Sequence, residues 1–252
     1  MTVYFIGAGP GAPDLLTLRG AEILSRCPVC LYAGSLVPQQ MLERCPPGAR
    51  LVNTARMPLP DIVGELVAAH AAGADVARLH SGDMSLYSAF TEQARRLDAA
   101  RVPYEVVPGV PAFAAASAAL HRELTVPGVG QSLLITRVST LSTDMPPGED
   151  LASLASTGVT LALHLAAHRA TELTAELVPH YGDNCPVAVV AFASRPNQQI
   201  VRCRLAQLPA RLAEAGITKT AVIFVGRVLE AADIEDSYLY SAARLRTPGA
   251  SH

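Results

Sequence analysis

The run His80–Tyr87, HSGDMSLY, gathers a titratable ring, hydroxyls, a carboxylate and a glycine in one short stretch. Gly82 allows a backbone to come close to a ligand, and Asp83 can accept hydrogen bonds or sit near a cation. Ser85 is placed to cap a following helix. His80, Ser81 and Asp83 are the residue types of a hydrolytic triad, but neighbours in sequence rarely have triad geometry and no GxSxG elbow is present. A second glycine-rich turn lies at GAGPGAPD, where Gly7, Gly9 and Ala12 satisfy the GxGxx[G/A] dinucleotide pattern. Two features argue against a dinucleotide. Pro10 and Pro13 remove N–H donors from a turn that would have to cradle a pyrophosphate. The apolar run Val29–Tyr32 ends in Ala33-Gly34, so the acid that would hold a ribose is missing. Val107-Pro108-Gly109-Val110-Pro111 is a third proline–glycine loop.

Other constellations carry less. Cys27-x-x-Cys30 has no second cysteine pair and runs into a strand, which favours buried structural thiols. His164 and His168 straddle a strand end without an HExxH glutamate, so a metal is not expected there. No GxxxxGK[ST] loop is present, against a P-loop NTPase.

These residues need elements to position them, and the chain supplies an alternation of strand and helix patterns. Short stretches at Val3–Ile6, Val29–Tyr32, Arg50–Asn53, Val76–His80 and Tyr104–Val107 read as strands. Helices are expected after Pro13 (apolar at Leu15, Leu18, Ile23 and Leu24), near Pro38–Arg44, over Pro60–Ala72 with Ile62, Leu66 and Val67 on one face, over Ser85–Ala99, and over Ala112–Leu120. Repeated strand–helix pairs of this length imply an α/β fold with a mostly parallel sheet covered on both faces. The loops at Gly7, Gly82 and Gly109 would then share the C-terminal edge of that sheet, where open parallel sheets bind ligands. The pattern lapses at RELTVPGVG, which places a boundary between domains 1–121 and 122–252. The second half restarts with Leu133–Thr136, Thr160–Leu165, a helix over Thr171–Tyr181, strands Val187–Phe192 and Ile200–Arg204, a helix over Leu205–Ala215 and a strand Ala221–Val225. Two strands separated only by the turn Ser194–Asn197 imply an antiparallel pair, hence a mixed second sheet. The last twelve residues, SAARLRTPGASH, are expected to fray.

The totals exclude several classes. With 252 residues, 50% apolar, 17% charged and a net charge of −2, the chain can bury a sizeable core and offers no bulk electrostatic case for nucleic acid or a membrane surface. Lys219 is the only lysine, the other basic residues being arginines suited to bidentate contacts. No apolar run is long enough for a membrane-spanning helix, no cleavable leader is expected at the start, and 5 cysteines in apolar runs suit a reducing cytoplasm.

GAGPGAPDLLTLRGAEIL, HSGDMSLY and VVPGVPAFAAASAAL, in this order and spacing, resemble the tetrapyrrole (corrin/porphyrin) methylase family, and TLALHLAAHR, PVAVVAFASRPNQQIVRCRLAQL and TAVIFVGRVL extend the resemblance over nearly the whole chain. Within it, LYAGSLV, HSGDMSLYSAF with Glu92-Gln93, and ELTVPGVGQSLLITR look most like the members that methylate precorrin-4 at C-11 in cobalamin biosynthesis. Sister members act on precorrin-2, precorrin-3B or uroporphyrinogen III, and a non-catalytic tetrapyrrole carrier is a further alternative.

The resemblance implies two α/β domains with S-adenosylmethionine folded between them, S-adenosylhomocysteine as product, a carboxylate-rich tetrapyrrole as substrate and a homodimer. Carried over by position, Pro10, Ser81, Gly82, Asp83, Leu86, Pro111 and Ala112 would touch the cofactor from the first domain, and Leu165, Ala193 and Ala221 from the second. Asp83, His80 and Tyr87 are the candidates for proton handling or orientation, and Arg56, Arg78, Arg95 and Arg122 for the macrocycle carboxylates. The chain departs from the family pattern at Ala12 and Gly34, where an acid is usual, at Met84 in place of a proline, and at Pro111 in place of a hydroxyl residue.

Overall fold

The computed structural model describes residues 1–139 and 144–232. The expected frayed end, with the rest of the last twenty residues, lies outside them. By their contacts the described residues form two units, one of Met1–Ala115 with Phe192–Gln198, the other of Ala116–Ala191 with the chain from Gln199 onward.

The first unit is a parallel sheet of β1 (Val3–Gly7), β2 (Val29–Tyr32), β3 (Arg50–Asn53), β4 (Val76–His80) and β5 (Tyr104–Val107), in the order β3-β2-β4-β1-β5. The central strands β1 and β4 are buried along their whole length; β1 is apolar but for its closing glycine, while β4 buries Arg78 and His80 among its apolar residues. Their two-residue period divides the core. Ile6, Ala77 and Leu79 pack with Leu16, Ile23, Leu24 and Met41 on one face, and Val3, Phe5 and Val76 pack with Val63, Leu66 and Leu97 on the other. Phe5 sits edge-on to Phe90 at 4.9 Å and to Tyr104 at 5.9 Å between ring centroids, the offset that aromatic quadrupoles favour.

The helices differ from expectation in informative ways. Helix α1 (Leu18–Leu24) starts at Thr17, whose Oγ1 accepts from the Gly20 amide at 3.1 Å, a cap worth about 1 kcal/mol. That register turns Gly20, Ile23 and Leu24 inward, while Leu18, expected on the apolar face, is 90% exposed. Gly20 fits because a Cβ there would lie 3.0 Å from Ile6 Cγ2. Helix α2 is a single turn, Gln39–Leu42. In α3 (Leu59–Ala71) the fully buried stripe is Val63, Leu66 and Ala69, flanked by Ile62 and Val67. Helix α4 (Phe90–Ala99) begins five residues later than the sequence pattern implies, so Ser85 does not cap it. Ala89 holds the N-cap position in the left-handed region, φ 53°, and Tyr87 two residues earlier is also left-handed at φ 51°. Helix α5 is Ala112–Leu120 as expected.

The second unit is a mixed sheet, as its closely spaced strands imply. Its strands β6 (Leu133–Arg137), β7 (Thr160–His164), β8 (Pro186–Ala191), β9 (Gln199–Arg204) and β10 (Ala221–Val225) lie in the order β6-β7-β10-β8-β9. Only β6 and β7 are parallel neighbours. Helices α6 (Leu151–Ala155), α7 (Ala170–Tyr181) and α8 (Leu208–Glu214) cover it, and the short α6 is not legible in the sequence pattern. Among the described residues no helix is long and apolar enough to cross a membrane.

Candidate functional site

At the C-terminal edge of the parallel sheet, the loops after β1, β4 and β5 are tied to one another. After β1, the Ala8 amide donates to the His80 carbonyl at 2.7 Å, and Gly9 and Gly82 exchange backbone hydrogen bonds at 3.1 and 2.7 Å. These join the loop after β1 to the loop after β4. Asp83 then joins the loop after β4 to the loop after β5, because its Oδ2 accepts from the Gly109 amide at 2.7 Å. Its Oδ1 accepts from the amide and hydroxyl of Ser85. Burial alone would raise the Asp83 carboxyl, but the Ser85, Gly109 and Met84 donors outweigh it and hold the group below its ordinary value.

Three glycines make this closure possible. A Cβ on Gly7 would stand 2.6 Å from Gly109 Cα and 2.8 Å from the Gly82 carbonyl oxygen, and one on Gly109 would stand 2.3 Å from that same oxygen. Backbone therefore meets backbone directly. Gly82 differs: at φ +70° its free face looks onto Ala112 N and Pro111 Cα, the nearest atoms to a built Cβ, at 3.9 Å. Gly82, Pro111 and Ala112, separated by nearly thirty residues, are thus neighbours around one open spot. Pro111 opens α5 by accepting from the Ala114 and Ala115 amides at 3.1 and 3.4 Å. The α5 N-terminus faces that spot with its positive end, a setting for a carboxylate. Ser81, Leu86 and Pro10 lie partly buried on the same loops.

His80 and Arg78 point the other way, into the layer of α3 and α4. Arg78 is 4% exposed; its Nε donates to Gln93 Oε1 at 3.1 Å and its Nη1 to Thr54 Oγ1 at 3.0 Å. Gln93 in turn donates to the carbonyl of left-handed Ala89 at 3.0 Å, and Thr54 donates to the Tyr32 carbonyl at 3.0 Å. The buried guanidinium therefore braces the loops after β3 and β4 from beneath, with the end of β2 drawn in through Thr54, and is not presented to a macrocycle. Arg56 and Arg95 are exposed, and Arg122 donates to the Ala231 carbonyl at 3.1 Å within the second unit.

His80 is 5% exposed, lies 5.9 Å from the Phe5 ring, and has no hydrogen-bond partner at Nε2. Burial, with the Arg78 charge two residues away, pulls it from 6.5 down to about 3, so it is neutral at physiological pH. A histidine depressed on folding contributes stability that is complete above 6.5 and is lost as pH falls toward 3. Relative to His80→Leu, the natural chain is expected to lose roughly 3 kcal/mol between pH 7 and pH 4. Urea titrations of both proteins at several pH values measure it; a pH-independent difference would mean that His80 does not titrate in the folded state.

Tyr87 is 46% exposed and held left-handed on the loop between β4 and α4, a conformation costly for a bulky residue and common where loops carry function. The departures also have physical readings. Met84 is buried among Phe5, Leu97 and Phe90 as a core plug. Gly34, at φ +55°, lies so close to Ala55 that a Cβ would come within 2.6 Å of its Cβ, which leaves no room for an acid. The Ala12 amide donates to Ser194 Oγ at 3.0 Å.

Ser194 and its neighbour Arg195 were not singled out as site residues by their sequence. They belong to Phe192–Gln198, which the contacts place in the first unit together with Ala193. In the second unit, Leu165 follows β7 in the left-handed region and is 56% exposed, and Ala221 begins β10 opposite Ala191. Among the described residues no cluster of histidine, cysteine, aspartate and glutamate could hold a metal ion.

Comparison with known proteins gives this edge its context. Residues 2–209 match the family described as Tetrapyrrole (Corrin/Porphyrin) Methylases. The chain is 62% identical over 247 residues to the precorrin-4 C(11)-methyltransferase of Rhodococcus erythropolis, covering 98% of this chain and 99% of that one. A solved cobalt precorrin-4 methyltransferase, a cobalamin biosynthetic enzyme, superposes with a TM-score of 0.89 at 37% identity, over 91% of this chain and 96% of that one. The uroporphyrin-III C-methyl transferase of Thermus thermophilus, solved in complex with S-adenyl homocysteine, superposes with a TM-score of 0.76 at 28% identity, over 91% and 93% of the two chains. With its family match spanning most of the sequence and its glycine loops closed at the ligand edge of the parallel sheet, the chain belongs to the tetrapyrrole (corrin/porphyrin) methylases.

Proposed function

We propose that this chain is an S-adenosylmethionine-dependent C-methyltransferase that methylates C-11 of precorrin-4 in cobalamin biosynthesis. The observation that carries the reading is identity of 62% across essentially the whole length of a precorrin-4 C(11)-methyltransferase. The lower identity, 37%, to the solved enzyme named for cobalt precorrin-4 favours the macrocycle without cobalt as substrate.

The residues at the sheet edge fit the cofactor. Its amino-acid end carries a carboxylate, which suits the positive end of α5 beside Pro111 and Ala112. Gly82 leaves the open spot that such a group needs, and the carbonyl-rich loops around it suit a sulfonium. When bound, S-adenosylmethionine supplies an electrophilic methyl group that passes to an electron-rich carbon of the macrocycle and leaves S-adenosylhomocysteine. The chain's own work is placement. Asp83 locks the loops after β4 and β5, Pro10, Ser81 and Leu86 line the neighbouring positions, and neutral His80 supports Ser88 from below. Tyr87, exposed beside them, is proposed to orient the substrate. Ala193, Leu165 and Ala221 are proposed as further cofactor contacts on the family resemblance. Because the macrocycle carbon is the nucleophile, no side-chain nucleophile is required, and positioning with exclusion of water supplies the rate. A homodimer and a cytoplasmic location belong to the same proposal.

The test is incubation of the purified protein with precorrin-4 and S-adenosylmethionine carrying an isotopically labelled methyl. Mass spectrometry is expected to find one added methyl, located at C-11. Preferential turnover of precorrin-2, precorrin-3B or uroporphyrinogen III would reassign the substrate. Pigment binding without transfer of label would make the protein a carrier, and absence of S-adenosylhomocysteine binding by calorimetry would remove the enzyme class.

A further inference from the structure

We infer that Arg195 is a positioning residue: it clasps the loop after β1 to the loop after β2 and so sets the opening that receives the macrocycle. Its Nη2 donates to the Leu36 carbonyl at 2.9 Å, and its Nε donates to the Pro10 carbonyl at 3.4 Å. Two loops that follow different strands are thereby held on one rigid, planar group, which a lysine ammonium cannot imitate.

The contact is built from both sides. Gly11 lies directly beneath the arginine: a Cβ there would stand 2.4 Å from Arg195 Cγ and 2.6 Å from its Nε. Next to it, Ser194 Oγ accepts the Ala12 amide at 3.0 Å, so the same turn holds the loop after β1 at a second point. The turn that presents both side chains is itself fixed. Phe192 and Ser194 are left-handed at φ 52° and 67°, the Arg195 amide donates to the Phe192 carbonyl at 2.9 Å, and the Ser194 amide donates to Gln198 Oε1 at 2.8 Å. Strained backbone of this kind persists where the surroundings determine it. Burial lowers the Arg195 pKa, but a guanidinium keeps its charge in proteins, so the clasp does not open by deprotonation.

The clasp also completes a series. Gly9 with Gly82 joins the loops after β1 and β4, Asp83 joins those after β4 and β5, and Arg195 joins those after β1 and β2. The first two ties surround the spot assigned to the cofactor and do not depend on Arg195. Loss of the third should therefore loosen the macrocycle's side of the edge more than the cofactor's, where Pro10 alone among the loop contacts of the first unit is held by the clasp. This separation rests on the precorrin-4 methyltransferase reading; the clasp itself does not.

The experiment compares the natural chain with Arg195→Ala, Arg195→Lys, Gly11→Ala and the Gly11→Ala/Arg195→Ala double variant. Hydrogen exchange is expected to speed up in the peptide spanning Gly9–Leu15 in every variant. With precorrin-4 as substrate, kcat/KM should fall roughly 10- to 100-fold, chiefly through KM. The dissociation constant for S-adenosylhomocysteine should rise by no more than about threefold, because only Pro10 is released while the ties through Gly82 and Asp83 remain. Arg195→Lys should recover only part of the loss. The double variant should lose less than the sum of the two single losses, since both changes break one contact while Gly11→Ala, at φ +155°, adds only its own backbone strain. Unchanged exchange in the Gly9–Leu15 peptide of folded Arg195→Ala would overturn the clasp. Additive losses in the double variant would do so too. A loosened peptide in a protein whose natural form does not methylate precorrin-4 would uphold the clasp and refute the substrate assignment instead.

Discussion

Gly109→Ala is expected to yield a protein that melts about 6–12 °C lower and transfers methyl groups at least roughly 100-fold more slowly. The added Cβ would lie 2.3 Å from the Gly82 carbonyl oxygen and 2.7 Å from both Cα and the carbonyl carbon of Gly7. None of these is the end of a flexible side chain that could rotate away. All are backbone atoms of loops already pinned to each other, since Gly9 and Gly82 exchange hydrogen bonds and Asp83 holds the Gly109 amide. Relief requires one loop to move by about an ångström, which costs about 3 kcal/mol at the upper end of ordinary overpacking. It also opens the spot bounded by Gly82, Pro111 and Ala112. A thermal melt followed by circular dichroism reads the first effect, and labelled methyl transfer reads the second. Natural stability together with natural turnover in Gly109→Ala would show that the contact does not govern the site.

The first sheet was legible because its strands are short runs rich in apolar residues set between helix patterns. Buried β1 is apolar up to its closing glycine, and buried β4 is interrupted by Arg78 and His80. The mixed second sheet was legible from a single short connection between two apolar runs. What escaped was local backbone chemistry that contradicts residue type. Tyr87 and Ala89 have no intrinsic reason to be left-handed, so the start of α4 at Phe90 could not be read from a pattern that continues helical from Ser85. Ala89 is held there by Gln93, which reaches back to its carbonyl and is itself held by Arg78 from β4. Leu18 failed for a simpler reason, because the Thr17 cap fixes the helical register and the first-turn leucine then faces out.

For the site, the three glycine loops were visible as types of residue, but not the reason each glycine is needed. Gly7 and Gly109 are glycine because they touch each other, whereas Gly82 is glycine at a positive φ facing open space. Arg195 was invisible because its partners lie 185 and 159 residues away in sequence. No local signal in Ser-Arg-Pro-Asn says which way the guanidinium reaches. Buried Arg78 shows the converse: nearness in sequence to a ligand loop made it a candidate for the macrocycle, and two-residue alternation along β4 sends it to the opposite side.

Asp83→Ala is expected to weaken S-adenosylhomocysteine binding at least roughly tenfold and to destabilise the fold by about 2 kcal/mol. The carboxylate accepts from the Ser85 amide at 2.9 Å and from the Gly109 amide at 2.7 Å, so alanine strands two backbone donors and unties the loops after β4 and β5. The sign of the pH dependence follows from its depressed pKa. Asp83 contributes stability that is complete above its ordinary value of 3.8 and is lost as pH falls through the lower folded value. The stability difference between the natural chain and Asp83→Asn should therefore be flat from neutral pH to about 4 and shrink below it. Asparagine also separates a tether from a proton carrier. An asparagine oxygen can still accept the Gly109 amide, while its NH2 group would meet the Ser85 amide as donor against donor. A tether predicts weaker cofactor binding with turnover still measurable at saturation. A general base predicts the reverse, unchanged affinity with turnover abolished, because asparagine cannot take up a proton. Calorimetric titration with S-adenosylhomocysteine and saturating turnover assays on the same Asp83→Asn protein decide between them, and the two oxygens already engaged by Ser85 and Gly109 favour the tether.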